Sequence, residues 1–308
     1  MNKIITLTVN PSVDMNAEID HVVAERKLRC RNPVREPGGG GLNVSRALNN
    51  MEAASSAIYP AGGEMGNLLS SLLDKEDIDH YPVSIGGETR ENINIQEKRT
   101  GRQFRFVMPG PELHEKEWRE CIDTVRRMEP SGALVVASGS LPPGVPGDFY
   151  AILARAVKEA EGRLILDAPG EELDAALEEG VFLIKPNRRE FRHLASREID
   201  SARDQKEAAG EIVKKGMAEI VVVSLGAAGA VAATASGSFR YHSPPVPLES
   251  KVGAGDSMMA GIVYGLSNDY RTEDAVRLGI AAGAAAVMTP GTELCRGKDV
   301  FRIYEKMK

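Results

Sequence analysis

Short apolar runs recur along the chain with amphipathic segments between them, and this alternation constrains the fold more than any other feature. The runs are rich in isoleucine and valine, which is typical of strands buried on both faces of a sheet. Between two of them, Trp118, Ile122 and Val125 fall at helical spacing. Strands alternating with helices predict an α/β fold with a mostly parallel sheet. The predicted strands are Ile4–Val9, Ala57–Tyr59, Ala133–Ala137, Leu164–Leu166, Phe182–Ile184 and Ile220–Val223.

The composition excludes several classes of protein. The 308 residues include 38 basic and 44 acidic side chains, so the net charge is −6, and we expect no nucleic-acid partner. Three widely spaced cysteines, Cys30, Cys121 and Cys295, form neither a disulfide framework nor a zinc motif, which favours a reducing compartment. No uncharged run reaches the roughly 18 residues of a membrane span. We therefore expect a soluble cytoplasmic protein with no membrane partner.

Two stretches interrupt the alternation of strands and helices. Residues 12–36 are polar with weak strand signals, and residues 83–108 contain two alternating segments around a turn at Gly101. Alternation on both sides of such a turn predicts a β-hairpin. We expect both stretches to form a small sheet that stands off the main one. Its apolar face would have to be covered by the substrate or by a second subunit.

The strongest local signal is the segment Lys251–Ser257, in which a Gly-Ala-Gly turn precedes Asp256 and a helix-like stretch. Such a turn points several backbone N–H groups at one spot, where the positive end of the helix also attracts an anion. Asp256 at the edge of that spot could take a proton from an attacking hydroxyl. We expect the helix end to keep Asp256 ionised and weakly basic. An aspartate N-cap after a glycine turn explains this segment equally well.

Four consecutive glycines, Gly38–Gly41, precede a second helix-like stretch that contains Asn43. Bare backbone lets a ligand approach closely, and the Asn43 amide offers both a donor and an acceptor. The alternative is a flexible loop with a helix cap, but four glycines cost enough folding entropy that a binding role is favoured. A Walker phosphate loop is excluded, because the Gly297–Lys298 pair is followed by Asp299.

Two predicted strands end in candidate nucleotide-binding segments. The first contains Lys185, Asn187 and Glu190, and the spacing of Asn187 and Glu190 favours a helix capping box. The alternative places Lys185 near nucleotide phosphates, with Asn187 and Glu190 holding Mg²⁺ through water. The second segment, Ser224–Gly229, either shapes a nucleotide pocket or simply turns the chain, and the turn is favoured.

Charged residues on the predicted small sheet are candidate ligands for a sugar phosphate. Asp14 follows the first strand, and Arg90 and Arg105 lie on the hairpin stretch. The planar fork of arginine suits a phosphoryl group, so two arginines on paired strands would clamp one. An isolated arginine is more often a solvated surface residue, so this interpretation depends on the two converging.

Three motifs taken together carry a family resemblance. They are Gly39–Asn43 (Gly-Gly-x-x-Asn), Asn187–Glu190 (Asn-x-x-Glu) and Gly253–Asp256 (Gly-Ala-Gly-Asp). With these motifs the chain resembles, over essentially its whole length, the ribokinase-like carbohydrate kinases of the phosphofructokinase B family. The resemblance implies a three-layer α/β sandwich in which residues 1–308 form a single kinase domain with the small sheet as its lid. It also implies that the lid clasps a second copy of the chain, so we expect a homodimer.

The resemblance further implies roles for individual residues. It makes Asp256 the catalytic base beside an anion hole, and it makes Glu190 the residue that organises Mg²⁺ through water. The other implied residues are Gly253, Ala254 and Gly255 for the anion hole; Asp14, Gly39, Gly40, Asn43 and Ser140 for the sugar; Arg90 and Arg105 for its phosphate; Lys27 for the partner subunit's site; Lys185, Asn187, Ser224, Gly226 and Gly229 for ATP; and Ser250, Val252 and Gly291 for a monovalent cation such as K⁺.

Within the family, further runs resemble the enzymes that phosphorylate fructose 6-phosphate with ATP, among them Lys27–Cys30, Phe104–Gly110 and Ser138–Gly144. We therefore expect transfer of the γ-phosphoryl group of MgATP to the 1-hydroxyl of fructose 6-phosphate, which gives fructose 1,6-bisphosphate. Tagatose-6-phosphate kinase and 1-phosphofructokinase remain alternatives, since they share the catalytic apparatus. A non-catalytic sugar-phosphate sensor is more remote, because such a protein would be expected to lose Asp256 or the neighbouring glycines.

Overall fold

A large mixed sheet forms the centre of the computed structural model, which describes residues 2–195 and 198–307. Its strands are β1 (Ile4–Leu7), β4 (Ser56–Ala61), β5 (Asp79–Ser84), β8 (Leu134–Ser138), β9 (Arg163–Asp167), β10 (Val181–Ile184), β11 (Ala218–Ser224), β12 (Ala230–Thr234) and β13 (Gly237–Tyr241). Their order across the sheet is β13-β12-β11-β10-β9-β8-β1-β4-β5. The strands from β5 to β11 pair in parallel, and β12 and β13 pair antiparallel at one edge. The predicted mostly parallel sheet is confirmed.

Helices cover both faces of this sheet, as the alternating pattern predicts. Alternate residues of one strand point to opposite faces, so Ile5 packs into one core and Ile4 into the other. Helices α3 to α7 supply the first core, and α1, α8, α9 and α10 supply the second. The helices are α1 (Gly40–Asn50), α2 (Gly63–Lys75), α3 (Glu115–Arg127), α4 (Phe149–Glu159), α5 (Gly170–Glu179), α6 (Arg188–Ala195), α7 (Ala202–Lys214), α8 (Ala254–Ser267), α9 (Thr272–Ala286) and α10 (Gly297–Met307).

These helices and the sheet form the three-layer sandwich that the resemblance implies. Within the described residues, each helix is too short or too polar to cross a lipid bilayer.

A second, small sheet contains four strands from the two stretches that interrupt the alternation. They are β2 (Ser12–Ile19), β3 (Arg31–Gly38), β6 (Arg90–Glu97) and β7 (Gln103–Phe106), in the order β3-β2-β6-β7. Strands β6 and β7 form the predicted hairpin, with Asn94 opposite Arg105. Strand β2 pairs in parallel with β6 and antiparallel with β3.

The two faces of the small sheet differ in polarity. One face carries Asp14, Asn92 and Arg105, which line cavities between the two sheets. The other carries an apolar cluster that includes Ile95 and Phe104. Because the polar face is the one turned toward the cavities, a substrate bound there cannot cover the apolar face.

Candidate active site

A cavity of about 420 Å³ lies between the carboxyl edge of the main sheet and the small sheet. Strand β8 contributes Ser138 and strand β9 contributes Asp167, each the last residue of its strand. Ligands of α/β proteins bind at this edge. The predicted site residues that line the cavity are Asp14, Gly39, Gly40, Asn43, Arg90, Arg105, Ser140, Glu190, Val252, Gly253, Gly255 and Asp256.

Helix α8 begins at this cavity with the predicted glycine turn. Gly253 is the N-cap and has a φ of 74°, a left-handed conformation that glycine adopts without strain. The first N–H groups of a helix have no intrahelical acceptor, so those of Ala254 and Gly255 can bind an anion. Lys185 adds a cation, since its Nζ lies 3.7 Å from the position that a Cβ on Gly255 would occupy. We call the turn from Gly253 to Gly255 the anion-binding corner.

Asp256 is the third residue of α8, and its side chain contacts helix α1. Asn43 Nδ2 donates to Asp256 Oδ2 at 2.8 Å. Burial raises the pKa of Asp256 to about 6, and the charge of Asp167 adds to this rise. The Asn43 hydrogen bond and the charges of Lys185 and Arg105 oppose it. The predicted weak basicity of Asp256 is therefore wrong, because desolvation outweighs the helix end, although the carboxylate still predominates at neutral pH.

Lys185 and Asp167 form a buried ion pair beside Asp256. They lie at the carboxyl ends of the neighbouring strands β10 and β9, and Lys185 Nζ is 2.9 Å from Asp167 Oδ2. Desolvation lowers the pKa of Lys185, but the charge of Asp167 and the hydrogen bond to it outweigh this effect, so the pKa is raised overall. Lys185 is therefore a permanent cation next to the anion-binding corner.

Asp14 on β2 is held as a fixed hydrogen-bond acceptor. Its Oδ1 accepts from Ser12 Oγ at 2.7 Å and from Asn92 Nδ2 at 2.8 Å. Because Asp14 also lines the cavity, its carboxylate can accept from the hydroxyls of a bound sugar. Sequence reasoning missed Ser12 and Asn92. Residues two apart in a strand point to the same face. Ser12 is two residues from Asp14 and Asn92 is two residues from Arg90, so this spacing could have placed both on the polar face of the small sheet.

Arg90 and Arg105 both line the cavity, as the predicted clamp requires. The Arg90 guanidinium also donates to the backbone carbonyls of Asn10, Pro11 and Met108, at 2.8, 3.3 and 3.1 Å. It therefore fastens the hairpin to the loop after β1, in addition to any ligand it binds. Arg105 is exposed and reaches the cavity from β7.

Asn187 and Glu190 form the predicted capping box at the start of α6. Asn187 Oδ1 accepts from the N–H groups of Arg189 and Glu190 at 2.8 and 3.0 Å, and Glu190 Oε2 accepts from the N–H of Asn187 at 2.8 Å. The Asn187 amide oxygen is thus committed to the helix. Glu190 also lines the cavity, and burial raises its pKa.

Other predicted ligands lie outside this cavity. Lys27 is exposed on the loop between β2 and β3. Ser224 ends β11, and Gly226 is exposed in the turn that follows. Gly229 has a φ of 92°, and a Cβ there would lie 2.0 Å from the carbonyl oxygen of Tyr241. The turn between β11 and β12 therefore needs this glycine whether or not a nucleotide binds, as the favoured interpretation holds.

The residues predicted for a monovalent cation lie together beside the cavity. Ser250 Oγ donates to the carbonyl oxygen of Gly291 at 2.5 Å and accepts from the N–H of Val252 at 3.2 Å. The loop thus places hard oxygen atoms close together, and such atoms suit an alkali cation.

The glycine run is explained largely by close packing at the start of α1. A Cβ on Gly40 would lie 2.2 Å from Ser138 Oγ, and one on Gly41 would lie 2.6 Å from the carbonyl oxygen of Leu7. Helix α1 can therefore rest on β1 and β8 only if these positions lack side chains. Gly40 also lines the cavity, so packing and exposure of bare backbone occur at the same residue.

The cavity also contains residues that the sequence analysis did not identify, notably Arg46, Asp167 and Thr292. Asp167 ends a strand at the carboxyl edge, so its position was a usable signal. Arg46 lies within α1 and Thr292 follows α9, and neither belongs to a motif.

The sequence profile of the pfkB family carbohydrate kinases matches residues 8–298. This range contains all three motifs and every strand of both sheets except β1. The chain belongs to the pfkB family of carbohydrate kinases. The predicted family resemblance is thereby confirmed, and the cavity described above is the candidate active site of a pfkB family kinase.

Relatives of this pfkB family kinase match it along nearly its whole length. It is 44% identical over 303 residues to the ATP-dependent 6-phosphofructokinase isozyme 2 of Mycobacterium tuberculosis, covering 98% of this chain and 89% of the relative. It is 43% identical over 305 residues to the isozyme 2 of Escherichia coli, covering 99% and 98%. It is 32% identical over 292 residues to the 1-phosphofructokinase of Bacillus subtilis, covering 94% and 95%.

Crystal structures of phosphofructokinase-2 from E. coli share this fold. The complex of that enzyme with potassium has a TM-score of 0.96 at 42% identity, covering 100% of this chain and 99% of the other. The complex with fructose 6-phosphate has a TM-score of 0.95 at 41% identity, with the same coverage. A third structure is described as the tetrameric inhibited form of that enzyme. The α/β sandwich with a second, small sheet is therefore shared with a solved family member.

Proposed function

We propose that this chain is an ATP-dependent kinase that phosphorylates the 1-hydroxyl of fructose 6-phosphate. One observation carries the proposal: Asp256 lies beside the anion-binding corner and in the same cavity as Asp14 and Arg105. A base, an anion site and ligands for a phosphorylated sugar thus share one space. The names of the relatives from M. tuberculosis and E. coli support the same activity.

In the proposed reaction, the Asp256 carboxylate takes the proton of the sugar 1-hydroxyl while that oxygen bonds to the γ-phosphorus. The bond from the γ-phosphorus to the β-bridging oxygen breaks, and ADP leaves with the electron pair. The N–H groups of Ala254 and Gly255 and the ammonium group of Lys185 neutralise charge on the migrating group. Since this transition state depends mainly on positioning and charge neutralisation, a carboxylate with a pKa near 6 is a sufficient base.

Glu190 is the residue proposed to hold Mg²⁺, through water. One of its carboxylate oxygens caps α6, and the carboxylate lies at the cavity wall. A carboxylate with a spare oxygen fits an ion that keeps most of its water ligands. Mg²⁺ held there would supply positive charge that offsets the negative charge of the ATP phosphates. We place ATP along the carboxyl edge, with Lys185 at its phosphates and Asn187, Ser224, Gly226 and Gly229 shaping that edge through their backbone.

The sugar phosphate is proposed to lie under the small sheet. Asp14, Asn43 and the backbone of Gly39 and Gly40 would accept and donate hydrogen bonds to its hydroxyls, with Ser140 at the rim. Arg90 and Arg105 supply positive charge for its phosphate. Lys27 is exposed and does not line this cavity, so we propose that it contributes to the site of a partner subunit.

A monovalent cation is proposed to bind between Ser250, Val252 and Gly291. Ser250 and Val252 lie just before Gly253 in the sequence. An ion bound by their oxygen atoms would therefore stabilise the start of α8. The potassium complex of the E. coli relative supports this proposal.

A homodimer through the small sheet is proposed on the basis of its apolar face. Phe106 is 51% exposed, and it pairs with Ile93 on the face that points away from the cavity. A second copy of the same face would cover these side chains. The tetrameric form described for the E. coli relative is compatible with a dimer as its smaller unit.

The experiment that tests the proposed substrate is a comparison of kcat/KM for three sugar phosphates under the same ATP concentration. We expect fructose 6-phosphate to be preferred over tagatose 6-phosphate and fructose 1-phosphate. A preference for tagatose 6-phosphate, or for fructose 1-phosphate as the B. subtilis relative's name suggests, would overturn the substrate assignment. An absence of ADP release with every sugar would favour the sensor instead.

A further inference from the structure

Arg46 lies on helix α1, one turn beyond Asn43, and is 7% exposed. Its guanidinium group binds the carboxylate of Glu76 at the end of α2. Arg46 Nε donates to Glu76 Oε2 and Nη2 donates to Oε1, each at 2.7 Å. Two parallel hydrogen bonds of this kind fix both the position and the plane of the guanidinium group. Arg46 is therefore a rigid element of the cavity wall.

The remaining nitrogen of this group faces the active site. Arg46 Nη1 donates to the carbonyl oxygen of Pro37 at 3.0 Å and to Asn43 Oδ1 at 3.5 Å. The other end of the same amide, Asn43 Nδ2, donates to Asp256 Oδ2 at 2.8 Å. If the amide were turned over, its oxygen would face the carboxylate and its NH₂ group would face the guanidinium group. Both contacts would then be repulsive.

We propose that Arg46 is a positioning residue for phosphoryl transfer, because it selects the orientation of the Asn43 amide in which the NH₂ group faces the Asp256 carboxylate. The proposal rests on the proposed function, in which Asp256 is the base. This role explains why α1 contains a buried arginine whose charge is balanced by the carboxylate of Glu76. The hydrogen bond from Asn43 lowers the pKa of Asp256, so loss of the fixed orientation should raise it.

Other charged groups face the two residues and must be held constant in the test. Glu36 Oε1 lies 3.6 Å from Arg46 Nη2, the same nitrogen that donates to Glu76 Oε1. The charged groups that act on Asp256 from other elements are Asp167 on β9, Lys185 after β10 and Arg105 on β7.

The test is the pH profile of kcat/KM for Arg46→Met in the full-length enzyme. We expect its acidic limb to move to higher pH by about 0.5–1 unit, so that activity falls several-fold more at pH 6 than at pH 8. The matched control is Arg155→Met, which breaks another interhelical arginine–glutamate pair, with Glu179, whose atoms are 2.6 Å apart. The control should keep the wild-type limb. A wild-type limb in Arg46→Met would overturn the proposal.

A second variant separates orientation from charge. Arg46→Lys keeps the positive charge but loses the two-pronged contact with Glu76 and the reach to Asn43, and it disturbs folding less than Arg46→Met. We expect its acidic limb to stay displaced to higher pH. If lysine restores the wild-type limb, Arg46 acts through charge alone and the proposal is wrong.

A double-mutant cycle with Asn43→Ala completes the test. Once Asn43 is removed, Arg46→Met should cause no further displacement of the limb, and an equal displacement in both backgrounds would contradict the proposal. Asp256→Asn distinguishes this failure from failure of the proposed function. If Asp256→Asn abolishes turnover while the Arg46 variants keep the wild-type limb, only the role of Arg46 is refuted. If Asp256→Asn remains active, the proposed base itself is refuted.

Discussion

Lys185 Nζ lies 2.9 Å from Asp167 Oδ2, and this pair joins the ends of two neighbouring strands directly beneath the anion-binding corner. The Lys185 side chain is 4% exposed, so its charge is kept by its partner rather than by water. The same negative charge on Asp167 contributes to the raised pKa of Asp256. One carboxylate therefore maintains the cation that we propose to bind phosphate and influences the proposed base.

Replacing Asp167 tests both roles at once. Asp167→Asn leaves Lys185 as a buried charge without its anionic partner, so we expect the free energy of unfolding to fall by roughly 3 kcal/mol. The acidic limb of kcat/KM should move to lower pH, since one cause of the raised pKa of Asp256 is removed. Urea denaturation and a pH series measure the two effects. Asp123→Asn, which breaks an exposed pair with Arg126, should cost less than about 1 kcal/mol and leave the limb unchanged.

The wild-type pH dependence follows from the pKa of Asp256, which burial raises to about 6. Only the carboxylate can accept the proton, so kcat/KM should rise through a limb near pH 6 and level off above it. Steady-state rates between pH 4.5 and 8, at fixed free Mg²⁺, measure this limb. A limb near pH 4, the ordinary range of an aspartate, would show that desolvation does not control this carboxyl group.

Arg105 should affect the sugar phosphate more than the chemical step. Arg105→Ala removes positive charge from the small sheet, so we expect KM for fructose 6-phosphate to rise at least tenfold while KM for ATP changes little. Initial rates with each substrate varied in turn separate the two constants. Arg102→Ala, on the same hairpin but outside the lining of the cavity, is the control and should leave both KM values unchanged. An unaltered KM for the sugar in Arg105→Ala would remove Arg105 from the clamp.

The apolar face of the small sheet predicts how the chain associates. Phe106→Asp puts a charge on that face, so we expect sedimentation velocity to show a shift from dimer to monomer at micromolar concentration. Tyr81→Asp alters a side chain that is 42% exposed on the edge strand β5 and should leave the dimer intact. Wild-type protein that sediments as a monomer would refute the proposed interface.

Much of the fold could be predicted from local pattern. Strands such as Leu134–Ser138 are buried on both faces, so they appear in the sequence as continuous apolar runs. The hairpin around Gly101 could also be predicted, because the alternating polar and apolar residues and the glycine turn between them both indicate a hairpin. The glycine turn at the start of α8 was also visible in the sequence, although the pattern alone fitted an aspartate N-cap as well as an anion site.

The rest of the site depends on tertiary contacts that no local pattern encodes. Asn43 and Asp256 are 213 residues apart, and their hydrogen bond exists only because α1 and α8 both begin at one cavity. The pKa of Asp256 could not be predicted either, because the helix end is visible in the sequence and the burial that outweighs it is not. Arg46 was missed because its partner, Glu76, belongs to another helix segment.

The most direct test of the whole account is single-turnover phosphoryl transfer by Asp256→Asn, with nucleotide binding measured on the same sample. Asparagine keeps the shape of the side chain and cannot take the proton, while the backbone N–H groups of the corner are unchanged. We predict that ATP binds with nearly wild-type affinity and that the rate of transfer to fructose 6-phosphate falls by about 10²–10⁴-fold. Transfer at the wild-type rate would contradict the central claim that Asp256 is the base.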